Sequence, residues 1–463
     1  MTGVQTCALP IFSPFQHAGL NTSATVHGLS LADDVYYFTV CAVNKAGLRN
    51  CLSSDGVLID FSPPSHGVVH DGIIEPDLKY QSSLTSMAAN WEGIWDLESG
   101  IETFEWSIGT SVQDKISIQH YADVGLSTHV RSQGVLNLVS GTKYYVHLMV
   151  TNQAGAIREL VSDGVIVDRT PPIPSTIYPG FGSQSDWKYS EQENAFYSAT
   201  ASSIAVYWNR FFEPESEVWY YKWAIGTSKC GTQVQPLINI GRSNYANTTM
   251  TNQVFRSGVK YYVTVTSRNR AGLVSRSCSD ALVFDSTPPY PGNVYVGQTS
   301  SVIRRITFIS NSSITLAWSG FRDLDSDIRS CNISVLEKSG HVRFLETRNT
   351  SSGNVSLSPI VGLLHGESYN ASVECVNNAG LAASSSSVFA IDNTPPIQTG
   401  PIVAGVSRDL AFQYQTDTNS ITATWPPFAE HESDVQNYQF AIGTQPYEDD
   451  VVRFESEIGR AHV

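Results

Sequence analysis

The sequence predicts an all-β protein built from tandem two-sheet sandwiches, and three recurring stretches carry that reading. The first is Asp-x-Ser/Thr-Pro-Pro, which stands at Asp60–Pro64 (DFSPP), Asp168–Pro172 (DRTPP), Asp285–Pro289 (DSTPP) and Asp392–Pro396 (DNTPP). The second is an alternating stretch that ends in Asn-x-Ala-Gly, at Tyr36–Gly47, Tyr144–Gly155, Tyr261–Gly272 and Tyr369–Gly380. The third is a tryptophan followed by a loop with two acids and a serine, at Trp91–Ile101, Trp208–Val218, Trp318–Ile328 and Trp425–Val435. Self-similarity at a fixed period marks a repeat architecture. Here the turn asparagines Asn44, Asn152, Asn269 and Asn377 lie 108, 117 and 108 residues apart.

Taken in chain order within one unit, each element has a physical reason. The tryptophan closes a short strand, as in Ser313–Trp318 (SITLAW), and the acidic loop leads into another, as in Ile101–Gly109 (IETFEWSIG). Tyr144, Val146, Leu148 and Val150 alternate with Tyr145, His147, Met149 and Thr151, the period-2 signature of a half-buried strand. Asn and Gly accept positive φ at little cost, so Asn-x-Ala-Gly turns the chain. A further strand is expected through Ser162–Asp168 (SDGVIVD), completing a hairpin. The proline pair then stops the ladder, because proline lacks an N–H and fixes φ, and so stiffens a linker between sandwiches.

Together these elements resemble the fibronectin type III domain. The resemblance rests on the Trp, on a Leu or Phe six residues before a Tyr with Gly between (Leu138, Gly141, Tyr144; Phe255, Gly258, Tyr261; Leu363, Gly366, Tyr369), and on the Asn-x-x-Gly turn, and it covers nearly all of Phe12–Glu457. It implies tandem immunoglobulin-like β-sandwiches arranged as beads on a string, with Tyr144, Tyr261 and Tyr369 forming tyrosine corners. The expected divisions are residues 12–62 for the last strands of one domain, 63–170, 171–287 and 288–394 for three complete domains, and 395–457 for the first strands of another. Asp186–Glu193 (DWKYSEQE) is the expected insertion in the longest unit. Met1–Ile11 (MTGVQTCALPI) and Ile458–Val463 (IGRAHV) resemble in-frame translations of sequencing-library adapters, so they and Cys7 are set outside the fold. The chain is then expected to be a piece of a longer array.

The composition is 41% hydrophobic, 11% aromatic and 15% charged, with a formal net charge of −15. That charge repels phosphate backbones, which argues against a nucleic-acid partner, and no apolar run reaches the ~20 residues of a membrane-spanning helix. On the proposed fold, Cys331 aligns with Phe104 and Cys375 with Val150, inward positions on neighbouring strands, so those two are expected to pair. Cys41 and Cys51 flank the NKAG turn and are expected to pair as well. Cys230 and Cys278 are left unassigned, one being read as leaving one pole of its sandwich and the other as beginning a strand at the opposite pole. Asn-x-Ser/Thr sequons stand at Asn21, Asn247, Asn311, Asn332, Asn349, Asn354 and Asn370, with five of the seven clustered in 311–370. Disulfides and this architecture point to an extracellular setting, secreted or on a membrane-protein ectodomain.

For chemistry, the acidic loops are the candidates: Asp96 and Glu98, Glu213 and Glu215, Asp323 and Asp325, with Glu430 and Glu432 after them. They are expected at the pole facing the preceding domain, near the linker aspartates, where hard oxygen ligands from two domains could converge on Ca²⁺. Only three or four oxygens are visible per joint, against the six to eight that calcium takes; the bland alternative is that the acids cap turns. The histidines form no ligand cluster, and no nucleophile elbow, phosphate-binding glycine loop or cofactor motif is present. A non-catalytic role follows: adhesion, scaffolding or receptor-ectodomain spacing, with protein partners bound through loops at domain poles. The rival reading is a carbohydrate-binding or spacer region of a secreted multidomain enzyme, with Trp95, Trp187 and Trp219 as the rings that would meet glycans. No Arg-Gly-Asp occurs.

Overall fold

The computed structural model describes residues 15–73, 77–180, 186–200, 202–248, 255–297, 307–310, 314–357, 362–405 and 414–455. The adapter-like ends, with Cys7, and the sequon Asn311 lie outside these residues. Every regular element among the described residues is a β-strand. The chain divides into two compact units: Met1–Ile173 with Phe212–Trp219 and Arg268–Ser275, and Pro174–Phe211 with Tyr220–Ser267 and Arg276–Val463.

In the first unit, the repeat after Pro64 is a two-sheet sandwich. One sheet orders His129–Arg131, Ala88–Glu92 and Val68–Asp71; the other orders Tyr80–Gln81, Val165–Val167, Lys143–Asn152, Ile101–Gly109 and Gln119–Asp123, with Ile157–Val161 also on Lys143–Asn152. Alternation sends Ala89 and Trp91 from the first sheet, and Phe104, Trp106, Ile108, Tyr144, Val146, Leu148 and Val150 from the second, into one core. Trp91 meets Phe104 at a centroid distance of 5.4 Å. Burying each of the Val, Leu, Ile and Phe side chains among them contributes roughly 1.5–3 kcal/mol. The first repeat keeps two paired ribbons, Asp34–Tyr36 with Val57–Ile59 and Thr39–Val43 with Arg49–Ser53.

The second unit carries sandwiches of the same kind. Ile177–Pro179, Ile204–Trp208 and Tyr245–Thr248 form a three-stranded sheet. Lys188–Ser190 and Ala195–Ser198 form a hairpin whose second strand runs parallel to Ala281–Phe284, so the sequence expected to be an insertion adds an edge strand. The next repeat orders Asn293–Val296, Thr315–Ser319 and Gly353–Ser356 in one sheet, and Thr307–Ile309, Ala382–Ile391, Ser368–Asn377, Ile328–Glu337 and Val342–Arg348 in the other. Its core joins Trp318, Cys331, Tyr369, Cys375 and Phe389. These are tandem two-sheet β-sandwiches. Each tyrosine corner is closed: the hydroxyls of Tyr144, Tyr261 and Tyr369 accept from the backbone N–H of Val139, Arg256 and Leu364 at 2.8, 2.9 and 2.8 Å.

Two features differ from expectation. The strand expected through Ser162–Asp168 is confined to Val165–Val167, and a separate strand, Ile157–Val161, precedes it. At the break the Ser162 hydroxyl accepts from Val146 N–H at 3.0 Å and Gly164 takes a φ of 88°. Cys230 and Cys278 form a disulfide beside Cys41–Cys51 and Cys331–Cys375. Cys278 ends the strand Val274–Cys278 rather than beginning one, so its sulfur lies at the pole where Cys230 turns with a φ of 62°.

Asp71 is buried, accepting from Ser162 Oγ and Gly164 N, both at 3.1 Å. Burial pushes its carboxyl up from 3.8 to about 7, with the charges of Asp77 and Asp163 adding to the rise. The folded state therefore holds this proton more tightly than the unfolded chain, and the associated stability is fully present below pH 3.8 and lost as pH rises through 7. Asp71→Asn is expected to abolish this fall, which thermal melts of both proteins from pH 4 to 8 will check.

Candidate functional site

At three successive joints one asparagine amide gathers the linker and the acidic loop. Asn152 Nδ2 donates to Asp60 Oδ2 at 2.9 Å, Ser62 O at 3.0 Å and Asp96 Oδ2 at 3.2 Å. Asn269 Nδ2 donates to Asp168 Oδ2 at 2.7 Å, Thr170 O at 3.2 Å and Glu213 Oε2 at 3.0 Å. Asn377 Nδ2 donates to Asp285 Oδ2 at 2.9 Å, Thr287 O at 3.1 Å and Asp323 Oδ2 at 3.1 Å. The other end of each amide is spent locally, Oδ1 accepting from the backbone of Ala156, Leu273 or Leu381. All three asparagines are fully buried, so every polar atom they carry must find a partner.

The linker phrase explains itself in this geometry. Oδ1 of each aspartate accepts from both N–H and hydroxyl two residues on: Ser62 for Asp60, Thr170 for Asp168, Thr287 for Asp285 and Thr394 for Asp392. Oδ2 is left for the following repeat, where Ser216, Ser326 and Ser433 donate to Asp168, Asp285 and Asp392. Isolated bridges then hold the chain beyond the prolines: Ile173 with Phe212, Tyr290 with Arg322 and Ile397 with Ala429. The second proline of the first three pairs, Pro64, Pro172 and Pro289, is buried.

The first acid of each loop has two tasks. One oxygen caps its own loop, as when Asp96 Oδ1 accepts from Ser99 and Gly100 N–H at 2.9 and 3.0 Å, or Asp323 Oδ1 from Asp325 and Ser326 N–H at 3.0 and 2.8 Å; the other takes the asparagine. The second acid reaches the linker hydroxyl: Glu215 from Thr170 at 3.1 Å and Asp325 from Thr287 at 3.2 Å. Glu98 is exposed. The Ser99 hydroxyl bond and those of Ser62 hold Asp60 below the usual carboxylate range. Burial pushes Glu213 up, and the Asp168 charge adds to the rise.

One oxygen each of Asp168, Glu213 and Glu215 comes within 4.8 Å of the others, as do ligand atoms of His365, Asp392 and Glu432 and those of Asp71, Asp77 and Asp163. In the first set the Asn269 amide already stands between Asp168 and Glu213, and hydroxyls of Ser216 and Thr170 fill further lone pairs. Each of these three acids thus already accepts from at least one protein donor. The sequence pointed to five of the six calcium candidates that meet here, Asp96, Glu213, Glu215, Asp323 and Asp325, but not to the asparagine that organises them. Its recurrence after each strand signals only turn chemistry; the serine after each acidic pair is the other available signal.

The remaining candidates separate by environment. Trp187 packs edge-on against Phe284 at 5.2 Å, while Trp95 and Trp219 are half exposed. Asn21, Asn247, Asn349 and Asn354 are exposed. Asn332 is half buried and accepts from Thr347 at 2.7 Å; the Oδ1 of Asn370 is buried without a hydrogen-bond partner.

No family model matches the chain, and no curated protein matches it. Among solved structures it is similar to the chicken CNTN1 FN1–FN3 domains, at 12% identity over 71% of this chain and 99% of that one, with a TM-score of 0.32. It is also similar to a tetra-tandem repeat from the extending region of a large adhesion protein, at 14% identity over 79% and 83%, TM-score 0.31. A third likeness is to the CbhA fibronectin(III)-like modules of Clostridium thermocellum, at 11% identity over 47% and 94%, TM-score 0.27.

Replacing Asn269 with Ala leaves Asp168 and Glu213 short of a donor and is expected to cost about 1–3 kcal/mol, read as a lower urea midpoint at unchanged slope. In a secreting eukaryotic host, glycopeptide mass spectrometry is expected to find sugar on Asn349 and Asn354 and none on Asn370.

Proposed function

We propose that this chain is a non-catalytic extracellular repeat region that spaces and orients adhesive or receptor modules, with the asparagine-centred joints setting the angle between successive sandwiches. The observation that carries this reading is the recurrence of one buried hydrogen-bond set at three joints, each tying the last residues of one repeat to the loop and turn of the next. A flexible linker would spend no buried polar groups there, because each demands a partner. Three disulfides fit an oxidising compartment. Boundaries at 63, 171, 288 and 395 go with this reading: each falls at a proline pair, whose second ring is buried in the first three, and leaves every Trp and Tyr pair in one sandwich. Protein partners would meet the half-exposed Trp95 and Trp219 at the domain poles. Trp187 is less available for glycan stacking, since its ring packs on Phe284.

The joints work through protein donors rather than through Ca²⁺. Small-angle scattering of the full chain is expected to give the same maximum dimension in millimolar Ca²⁺ and in EDTA, whereas Asn269→Ala combined with Asn377→Ala broadens the distribution of dimensions. An unchanged distribution in the double variant would remove the spacer reading; a contraction or stiffening on adding Ca²⁺ would restore the metal.

A further inference from the structure

The Asn-x-Ala-Gly turn joins two antiparallel strands, and counting back from its asparagine tells which face of the hairpin a side chain takes. Two residues before the asparagine stand Val150 and Cys375, each in the core of its sandwich. Three residues before it, on the opposite face, stand Met149 and Glu374, which pair across the hairpin with the exposed Glu159 and Ser384. Cys41 is three residues before Asn44 and pairs directly with Cys51. Register therefore turns the Cys41–Cys51 disulfide outward. Cys331–Cys375 also joins directly opposed residues, at the same Cα–Cα distance of 4.0 Å, but lies fully buried. Cys51 is exposed and Cys41 half-buried. The fold does not require a cross-link at the outward positions, since Met with Glu and Glu with Ser fill them elsewhere.

A cation stands beside this disulfide. Arg49 Nε donates to Cys51 Sγ at 3.0 Å, and Nη2 donates to Cys41 Sγ at 2.7 Å. The guanidinium carbon also lies 4.4 Å from the centre of the Phe15 ring, a further contact that holds it in place. In register, the counterparts of Arg49 are Ile157 and Ala382. The charge thus comes with the disulfide. A guanidinium stays protonated and favours a thiolate next to it. Exposed disulfides are the exchangeable ones, and a sulfur that leaves as a stabilised anion leaves faster.

We propose that Cys41–Cys51 is a thiol-exchange site open to external thiols, with Arg49 as the positioning residue that stabilises the departing sulfur. The thiolate of an incoming reductant attacks the exposed Cys51 Sγ. The Cys41–Cys51 bond breaks, a mixed disulfide forms on Cys51, and the electron pair leaves on Cys41 Sγ beside Arg49 Nη2. With a dithiol, the second thiolate attacks the reductant's own sulfur in the mixed disulfide. That step releases Cys51 as a thiolate and leaves the reductant as a cyclic disulfide. Two electrons have then passed to the cysteine pair, and the two protons lost by the dithiol go to the new thiolates or to solvent. A monothiol stops at the mixed disulfide until a second one resolves it. The ladder of Thr39–Val43 with Arg49–Ser53 need not open for any of these steps. The inference is independent of the spacer reading, because this hairpin precedes the first joint.

Timed reduction of the full chain tests it, with Cys7→Ser in every sample to remove the cysteine outside the three disulfides. The chain is treated without denaturant at neutral pH with dithiothreitol or with glutathione, then quenched by alkylation and read by peptide mass spectrometry. Cys41–Cys51 is expected to react about tenfold or more faster than either other disulfide, giving free thiols with dithiothreitol and a glutathione adduct on Cys51 with glutathione. Arg49→Gln is expected to slow this exchange about fivefold or more and to raise the pH at which reduced Cys41 alkylates. Arg49→Lys recovers part of the rate, and the other two disulfides keep theirs in both variants. Equal rates at the three disulfides would overturn the proposal, as would an Arg49→Gln chain with the wild-type exchange rate and alkylation profile, or a loss of rate that lysine does not recover.

Discussion

The joints depend on burying an asparagine amide between carboxylates. Asn269 sits fully enclosed between Asp168 and Glu213, and an amide there can stabilise two acids only if both approach it at once. One acid belongs to the linker and the other to the loop of the following sandwich. Satisfying a single side chain therefore fixes the path of the linker relative to the loop. Ser216 and Thr170 complete the set by filling the lone pairs that the amide cannot reach.

This arrangement also explains why the repeated phrases have the composition they do. Asp with Ser or Thr two residues later closes a small turn through Oδ1, which leaves Oδ2 aimed outward; the prolines that follow remove backbone donors that would otherwise compete and let the second ring pack. An acid at the first loop position caps the loop with one oxygen and receives the asparagine with the other. The acidic character of these joints thus comes from hydrogen-bond acceptors needed in one place. Their electrostatic cost shows at Glu213, which burial and the Asp168 charge push upward, while the hydroxyls around Asp60 pull that group down.

The sandwiches themselves are held more conventionally. Alternating side chains from two sheets meet around Trp91 and Tyr144, or around Trp318 and Tyr369, and the tyrosine hydroxyl closes the corner before its own strand. The strand after the turn is where the repeats diverge: it stops at Val161 or Cys278 in two of them and runs on unbroken through Ala382–Ile391 in the next.

By itself the sequence determined the all-β class, the period of the repeat, the inward face of each long strand and the pairing of Cys331 with Cys375, because period-2 alternation and turn chemistry are local and recur four times. It also brought the acidic loops and linker aspartates to notice. Tertiary structure alone decided that the turn asparagine is their common donor, since Asn152 and Asp60 are 92 residues apart and nothing local distinguishes a turn asparagine whose Nδ2 faces solvent from one whose Nδ2 is buried among acids. It likewise decided that Cys230 meets Cys278, through a positive-φ bend at Cys230 and a strand that Cys278 ends rather than begins.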